Sequence, residues 1–318
     1  MSQNNTSRRW LRPLLFGLLG IILFLVLVVV VTKIWDTVAS RRVPETYPPR
    51  GEFVNVDGAR MHVICQGSGE PTLALQPGIG GGALDWLPLM EELDDDFRVC
   101  AFDRLGQDWS DPAPQPRTFA TAADEWHAAI QELGIEQPVV VGHSLGGAVV
   151  QIYAGEHDVA GIILVDGLSP DAAQPVVNRL GTYQALDGLA RLGLLRPMGF
   201  LFADGAYPTE LQEEMVALRS RSEALLSMSA EGAEAAETAA AELKAAEAEM
   251  DAPLLIIAAG DSGLPEEDVF LQGLQALDER YADSTFALVP DATHYLIASH
   301  SEVVADHIVD WLSQQGIR

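Results

Sequence analysis

The chain of 318 residues carries 46 acidic and 19 basic side chains, which gives a formal net charge of -27. A surface this acidic repels phosphate backbones, so the composition argues against a nucleic-acid partner. A hydrophobic fraction of 48% suffices for a packed globular core, whereas two cysteines make neither a disulfide framework nor a zinc pattern.

The first predicted element is an apolar run from Leu14 to Val31, with Trp10 before it and Trp35 after it. At about 1.5 Å per residue, this run and its apolar neighbours can cross a hydrocarbon layer of about 30 Å. It is longer than the apolar part of a secretory signal peptide, and a poor cleavage site follows it. We therefore predict a tail and a transmembrane anchor within residues 1–38. An outward-facing globular domain is a hypothesis, because basic residues flank the run on both sides.

Residues 39–50 contain three prolines and no apolar periodicity, which predicts a semi-extended linker. The globular domain is then expected over residues 51–318. Its predicted strands are 53–56, 61–65, 72–75, 98–102, 138–141, 161–165, 254–258 and 285–289. The first two form a hairpin, and the others alternate with helical patterns. This alternation predicts an α/β fold with a mostly parallel sheet covered by helices on both faces.

The connection between the strands 161–165 and 254–258 is too long for an ordinary loop. It holds several helical patterns, and we expect a helical cap over the carboxyl edge of the sheet at about residues 168–252. The part of this segment at 229–250 is rich in alanine and glutamate, which predicts a solvated helix.

A candidate nucleophile follows the strand 138–141, in the sequence Gly142-His143-Ser144-Leu145-Gly146. A tight strand-to-helix turn strains its central residue and leaves no room for side chains two positions away on either side, where this chain has glycines. The same five-residue pattern also occurs by chance in glycine-rich chains. The strand before it, the helix after it and suitable partners downstream favour Ser144 as a nucleophile.

A serine nucleophile needs a general base, and the base needs a third group that fixes its tautomer. Of the seven histidines, His294 lies on a loop after the last predicted strand, from which its side chain could reach back over the sheet edge. Asp261 follows the strand 254–258 and completes the chain order Ser, Asp, His, so we predict it as the acid. Asp166, at the end of the strand 161–165, remains the alternative.

The oxyanion of an acyl-transfer intermediate must be met by backbone N–H groups. We expect one of them from Leu145, directly after Ser144, and the other from Ile79, in the glycine-rich loop after the strand 72–75. This chemistry requires no metal and no organic cofactor, and the glycines of that loop lack the order of a nucleotide-binding motif.

Residues 51–318 resemble the α/β-hydrolase fold superfamily, whose esterases, lipases and peptidases use a serine nucleophile. The matching motifs are Gly142 to Gly147, Pro77 to Gly80, Asp103 to Gly106 with Ser110, and Asp291 to His294. The resemblance implies an eight-stranded sheet with a cap inserted after strand six. Pro77 replaces a frequent histidine of the family, and Gly263 stands where the acid is usual, which keeps Asp166 open beside Asp261.

The resemblance also places the strands of Cys65 and Cys100 side by side, so that a disulfide between them is conceivable in an extracytoplasmic domain. As a whole, the sequence predicts a single-pass, membrane-anchored serine hydrolase that cleaves carboxylic esters or related acyl compounds through an acyl-enzyme intermediate. Serine at position 144 argues against dehalogenase and epoxide hydrolase chemistry, for which this fold uses an aspartate. A non-catalytic ligand-binding protein, or a peptidase, thioesterase or perhydrolase with the same triad, remains an alternative.

Overall fold

The computed structural model describes residues 7–113, 117–180, 187–202, 204–264 and 267–317. The predicted tail before Ser7 and parts of the predicted cap lie outside these residues. One sheet contains eight strands in the order β1-β2-β4-β3-β5-β6-β7-β8. The strands are β1 Glu52–Val56, β2 Ala59–Gln66, β3 Thr72–Gln76, β4 Arg98–Phe102, β5 Val139–His143, β6 Gly161–Val165, β7 Leu254–Ala259 and β8 Ser284–Val289. The predicted eight-stranded, mostly parallel sheet is therefore confirmed.

The sheet is antiparallel only where β2 pairs with β1 and with β4, and the pairs from β4 to β8 are parallel. Every residue of β3, β5, β6 and β7 is buried, because these central strands are apolar on both faces and helices cover both. The helices outside the cap are α2 Leu87–Leu93, α3 Phe119–Glu132, α4 Gly146–Glu156, α9 Glu267–Arg280, α10 Leu296–Ser299 and α11 Ser301–Gln314. Helices α3, α4 and α9 share one hydrophobic core, and α2, α10 and α11 share another.

The described helices between β6 and β7 form the cap. They are α5 Pro170–Leu180, α6 Asp187–Arg191, a 3-10 helix Arg196–Phe202, α7 Thr209–Arg219 and α8 Ser222–Glu249. The helix predicted at 229–250 is present, but the expectation that it is solvated is wrong for one face, where α8 buries Ala235, Ala239, Leu243 and Ala246. These residues recur every three or four positions and line one face. That face packs on the body of the protein, where Gly155 of α4 lets the backbone at Ala246 approach closely.

The N-terminal helix α1 runs without interruption from Ser7 to Thr46. Its described part from Pro13 to Thr46 has the length and composition of a membrane span. The predicted semi-extended linker at 39–50 is wrong over its first eight positions, which are helical, and only residues 47–51 connect α1 to β1. Asp36, Ser40 and Val43 lie at helical spacing on one face of α1, where the rest of the protein covers Asp36 and Val43. Such tertiary contacts stabilise a helix even where Pro44 removes one backbone hydrogen bond.

Candidate active site

Ser144 lies in the turn between β5 and α4, at the carboxyl edge of the sheet. Its φ angle of 52° is in the left-handed region, which is strained for a residue with a side chain. The flanking glycines make this turn possible, because a Cβ atom at Gly142 would lie 2.6 Å from the Gly146 carbonyl oxygen. The Ser144 carbonyl accepts hydrogen bonds from the backbone N–H groups of Gly147 at 3.0 Å and Leu168 at 2.7 Å. The turn is thus fixed on both sides, with the half-buried Ser144 at its centre.

His294 follows β8 and pairs with a buried carboxylate. Its Nδ1 lies 2.6 Å from Oδ2 of Asp166, and the two side chains are 8% and 2% exposed. Oδ1 of Asp166 accepts a hydrogen bond from the backbone N–H of Ala259 at 3.2 Å, which orients the carboxylate. Because a carboxylate only accepts, the Nδ1 of neutral His294 carries the proton, and its Nε2 is a proton acceptor. Among the described residues, His294 Nε2 makes no hydrogen bond.

The structure places the predicted acid Asp261 elsewhere. Asp261 is exposed, and its backbone N–H donates to the Ala292 carbonyl at 3.1 Å. The preceding Gly260 packs so closely on Pro290 that a Cβ atom there would lie 2.5 Å from the Pro290 carbonyl oxygen. The partner of His294 is therefore the alternative, Asp166, and the expectation that Asp261 contacts the histidine is corrected.

A second buried aspartate–histidine pair shows by contrast what distinguishes His294. Nδ1 of His62 lies 2.8 Å from Oδ2 of Asp103, but Nε2 of His62 is itself hydrogen-bonded to the Arg50 carbonyl. With both ring nitrogens occupied, His62 is a structural element that joins β2 to the loop after β4. His294 combines a fixed Nδ1 with an open Nε2, which is what a general base requires.

His143 immediately precedes Ser144 and supports the His294 loop. Its Nε2 lies 2.7 Å from the His294 carbonyl oxygen, and the two imidazole rings are 4.7 Å apart. Burial, with a smaller contribution from the nearby His294, lowers the pKa of His143 to about 4. His143 is therefore neutral near pH 7 and can donate to that carbonyl. No local sequence pattern indicates this contact, because His143 and His294 lie 151 residues apart along the chain.

Ser144 and His294 are linked through His143, which precedes Ser144 and contacts the His294 carbonyl oxygen. The Ser144 hydroxyl makes no hydrogen bond to the His294 ring in the part of the chain that the structure describes. Catalytic contacts of this kind are commonly long until a substrate is bound. Both residues nevertheless lie at the carboxyl edge of the sheet, joined by the His143 contact.

The loop predicted to hold the oxyanion passes directly over the serine. A Cβ atom at Gly78 would lie 3.1 Å from Cβ and 3.5 Å from Oγ of Ser144, so the backbone approaches the nucleophile closely. Ile79 follows Gly78 in this loop, and Leu145 immediately precedes α4. The first N–H groups of a helix lack intrahelical partners, so the Leu145 side of the turn presents donors as well. Leu145 thus follows Ser144 directly and Ile79 follows the glycine that packs on Ser144, and their role as oxyanion donors stays a prediction.

Arg104, at the end of β4, connects this loop to the cap. Its guanidinium donates to the carbonyl oxygens of Pro77 at 2.5 Å and Gly78 at 2.8 Å. It also forms a bidentate ion pair with Glu231 of α8, with Nε 2.6 Å and Nη2 3.0 Å from the two carboxylate oxygens. Arg104 and Glu231 are both buried. No local sequence pattern indicates Glu231 as the partner of Arg104, because the two lie 127 residues apart along the chain.

The cap makes a second buried contact with the body at Asp85 and Asp108. Arg219 of α7 binds Asp85 Oδ1 at 2.8 Å and Asp108 Oδ2 at 3.0 Å. Burial raises the pKa of Asp108 to about 6 despite the opposing charge of Arg219. No cluster of three or more His, Cys, Asp or Glu side chains among the described residues has the arrangement of a metal site.

Comparison with known proteins agrees with this geometry. A family profile described as "alpha/beta hydrolase fold" matches residues 71–300. Among curated proteins, a putative carbamate hydrolase of Stutzerimonas stutzeri is 39% identical over 94 residues, which cover 28% of this chain and 35% of that protein. The acetyltransferase component of an acetoin cleaving system from Cupriavidus necator is 32% identical over 153 residues, or 48% of this chain and 41% of that protein. The chain therefore spans less than half the length of these curated relatives.

Solved structures share the architecture. An esterase from Exiguobacterium antarcticum superposes with a TM-score of 0.65 at 20% identity, covering 83% of this chain and 99% of the esterase. A putative epoxide hydrolase from Pseudomonas aeruginosa reaches the same TM-score of 0.65 at 21% identity, with coverages of 84% and 97%. At such identities the likeness shows the fold and leaves the reaction to be argued from the site.

Proposed function

Because the chain belongs to the alpha/beta hydrolase fold family and is a hydrolase-type enzyme, we propose that it is a membrane-anchored serine hydrolase of carboxylic esters or related acyl compounds. The observation that carries the proposal is the arrangement at the sheet edge. The strained Ser144 and His294 lie at the same carboxyl edge of the sheet, where Nδ1 of His294 is held by the buried Asp166 and its Nε2 is open.

In the proposed reaction, Ser144 Oγ attacks the acyl carbon while His294 Nε2 takes the hydroxyl proton. Asp166 keeps His294 in the required tautomer and stabilises the imidazolium that forms. The backbone N–H groups of Ile79 and Leu145 donate to the tetrahedral oxyanion. His294 then protonates the leaving alcohol, and water, deprotonated by the same nitrogen, releases the acid from the acyl-enzyme.

Ser144, in the turn between β5 and α4, favours acyl transfer over epoxide opening. Serine attacks a carbonyl carbon, and esters and carbamates both present one. Epoxide opening in this fold uses an aspartate at the position of the strand-to-helix turn where this chain has Ser144. The proposal therefore includes carbamates among the related acyl compounds and leaves epoxides out.

Anchoring and orientation are part of the proposal. The apolar side chains of α1 between Leu14 and Val31 are mostly exposed, which suits a lipid environment. Cys65 and Cys100 face each other on β2 and β4 and form a disulfide. Disulfides persist in oxidising compartments, so this bond supports a hydrolase domain on the extracytoplasmic side.

The test is replacement of the nucleophile. Ser144→Ala removes the attacking oxygen and should abolish labelling by a fluorophosphonate probe. It should also lower p-nitrophenyl butyrate turnover by a factor on the order of 10⁴ or more. Ser313→Ala is the matched control, because Ser313 is an exposed serine of α11. Unchanged labelling of the Ser144 variant would refute the proposal.

A further inference from the structure

The anchor helix is attached directly to the cap. The Thr32 hydroxyl donates to the Leu192 carbonyl at 3.2 Å. Four residues later, the buried Asp36 accepts from Arg196 at 3.0 Å and from the Ser222 hydroxyl at 2.7 Å. These contacts join α1 to three parts of the cap: the end of α6, the 3-10 helix and the start of α8. The position of the cap relative to α1 is therefore fixed by polar contacts, of which those of Asp36 are buried.

Beside this attachment the cap exposes large apolar side chains. Leu189 and Leu192 are each 41% exposed and Met198 is 44% exposed. We name these three residues the cap apolar face. Exposed groups of large apolar side chains on one surface mark contacts with other molecules or with lipid.

The depth of the cap apolar face follows from α1. Thr32 comes directly after the apolar run that ends at Val31, so a helix that crosses the bilayer with this run leaves the hydrocarbon at Thr32. Leu192 is hydrogen-bonded to Thr32 and lies at the same level. Val28 and Val29, one turn inside the run, are already half-buried by the protein. The cap thus reaches the depth at which lipid begins.

The polar groups at this level suit an interface. Lys33 is half-exposed and Arg191 is exposed, and both can reach lipid headgroups while their stems lie on apolar surface. The acidic Asp36 is paired with Arg196 and so adds no free negative charge.

One cap helix leads from this attachment to the active site. Ser222, which binds Asp36, begins α8, and Met228 of the same helix lies over the oxyanion loop, 2.8 Å from where a Cβ atom at Gly80 would be. Glu231, one turn further, holds Arg104. At about 1.5 Å per residue, the distances along α8 from Ser222 to Met228 and Glu231 are about 9 and 14 Å. The site therefore lies within two to three helical turns of the membrane-level contact.

We propose that the cap apolar face inserts into the lipid interface where α1 leaves the bilayer, and that Ser144 acts on acyl esters resident in that membrane. This inference rests on the proposed serine hydrolase function and on the proposed span. The occupant of the face is the phospholipid bilayer itself.

Insertion is tested by fluorescence quenching in full-length protein reconstituted into phosphatidylcholine vesicles. Both native cysteines are disulfide-bonded, so Leu192→Cys introduces a single free thiol for an environment-sensitive fluorophore. Val303→Cys on α11, at 39% exposure, is the matched control. Lipids brominated near the carbonyl region should quench the label at 192 by about half and leave the label at 303 unaffected. Equal quenching at the two positions would overturn the inference.

The substrate class is tested with two esters. Leu192→Asp combined with Met198→Asp should lower turnover of vesicle-borne p-nitrophenyl palmitate about tenfold relative to soluble p-nitrophenyl acetate. The control Val303→Asp should leave this ratio unchanged. An unchanged ratio in the double variant would overturn the inference even if the acetate is hydrolysed normally. If the wild type hydrolyses neither ester, the proposed function fails, whereas the quenching experiment still decides whether the face inserts.

Discussion

Replacing Asp166 by asparagine removes the charge that faces His294 and keeps the shape of the side chain. The two atoms of this contact are 2.6 Å apart in a buried environment. At an effective dielectric constant of about 20, unit charges at this distance attract by about 6 kcal/mol. This attraction acts on the imidazolium of the transition state and not on the neutral imidazole that precedes it. Because about 1.4 kcal/mol corresponds to a tenfold change in rate, we expect Asp166→Asn to lower kcat by a factor of about 10⁴.

The amide would act on the tautomer as well. If Asn at position 166 donates to Nδ1 of His294, the ring proton moves to Nε2, and the base can no longer accept from Ser144. The assay is steady-state hydrolysis of p-nitrophenyl butyrate, with circular dichroism to show that each variant is folded.

Asp261→Asn is the matched control, since Asp261 is exposed and its side chain lies away from the His294 ring contact. We expect its kcat within about twofold of the wild type, as for a surface substitution. If Asp166→Asn kept more than a tenth of the wild-type rate, or if Asp261→Asn lost as much, the assignment of Asp166 as the acid would be refuted.

Three further predictions concern the surroundings of the site. His143 has a pKa of about 4 in the folded protein against 6.5 as its ordinary value, so protons bind preferentially to the unfolded chain between these pH values. The contribution of His143 to the free energy of unfolding should therefore fall by up to about 3 kcal/mol as the pH drops from 6.5 to 4. Asp108, whose pKa is raised to about 6, acts in the opposite direction over this range, so urea titrations of detergent-solubilised protein compare the wild type with His143→Gln. The wild type should be destabilised relative to this variant on acidification, and an equal pH dependence of the two would contradict the argument. Arg104→Lys loses the bidentate geometry that joins the oxyanion loop to Glu231. We therefore expect kcat for p-nitrophenyl butyrate to fall about tenfold with little change in KM. A change in KM alone would indicate a role in binding. The Cys65–Cys100 bond closes a loop with a sequence separation of 35, so replacing both cysteines by alanine should lower the free energy of unfolding by about 4 kcal/mol. The measurement is a reduced urea midpoint. An unchanged midpoint would show that the bond does not constrain the unfolded chain.

The strands and the serine turn could be predicted because their causes are local. Apolar runs such as Val139–His143 are buried whatever surrounds them, and the Gly142-x-Ser144-x-Gly146 spacing serves a steric need of the turn itself. His294 was predictable from its place after the last strand. For the strands and the serine turn, the sequence pattern and the tertiary structure both follow from local burial and local steric requirements.

The sequence alone could not decide which carboxylate pairs with His294. Asp166 and Asp261 each follow a strand, and both lie between Ser144 and His294 in the chain. The choice depends on how each chain segment turns after its strand. Asp166 has a φ angle of 43° and hydrogen-bonds across to Ala259, which holds its side chain above the sheet edge, whereas the close packing of Gly260 on Pro290 accompanies an exposed Asp261. The Asp-Gly pair at 166–167 was the local sign of such a turn.

The helical cap and the end of α1 show where prediction from composition fails. Composition alone predicted solvation for α8 and an extended chain after residue 38. In both cases partners distant in the sequence decide the outcome: α4 and α5 cover the alanine face of α8, and Arg196 and Ser222 bind Asp36. Propensity is a weak guide where tertiary contacts of this kind are present.

If α1 spans the membrane and the substrate resides there, as we propose, the unbroken α1 also determines how the hydrolase domain moves. A flexible linker of twelve residues, the predicted length, has a root-mean-square end-to-end distance of about 19 Å, and the domain could move over this distance from its point of attachment. A rigid helix that continues to Thr46 removes that freedom and leaves lateral diffusion and rotation about the membrane normal. Encounters with substrate then occur in two dimensions, so the rate should follow the mole fraction of ester in the membrane and not its concentration in the surrounding water.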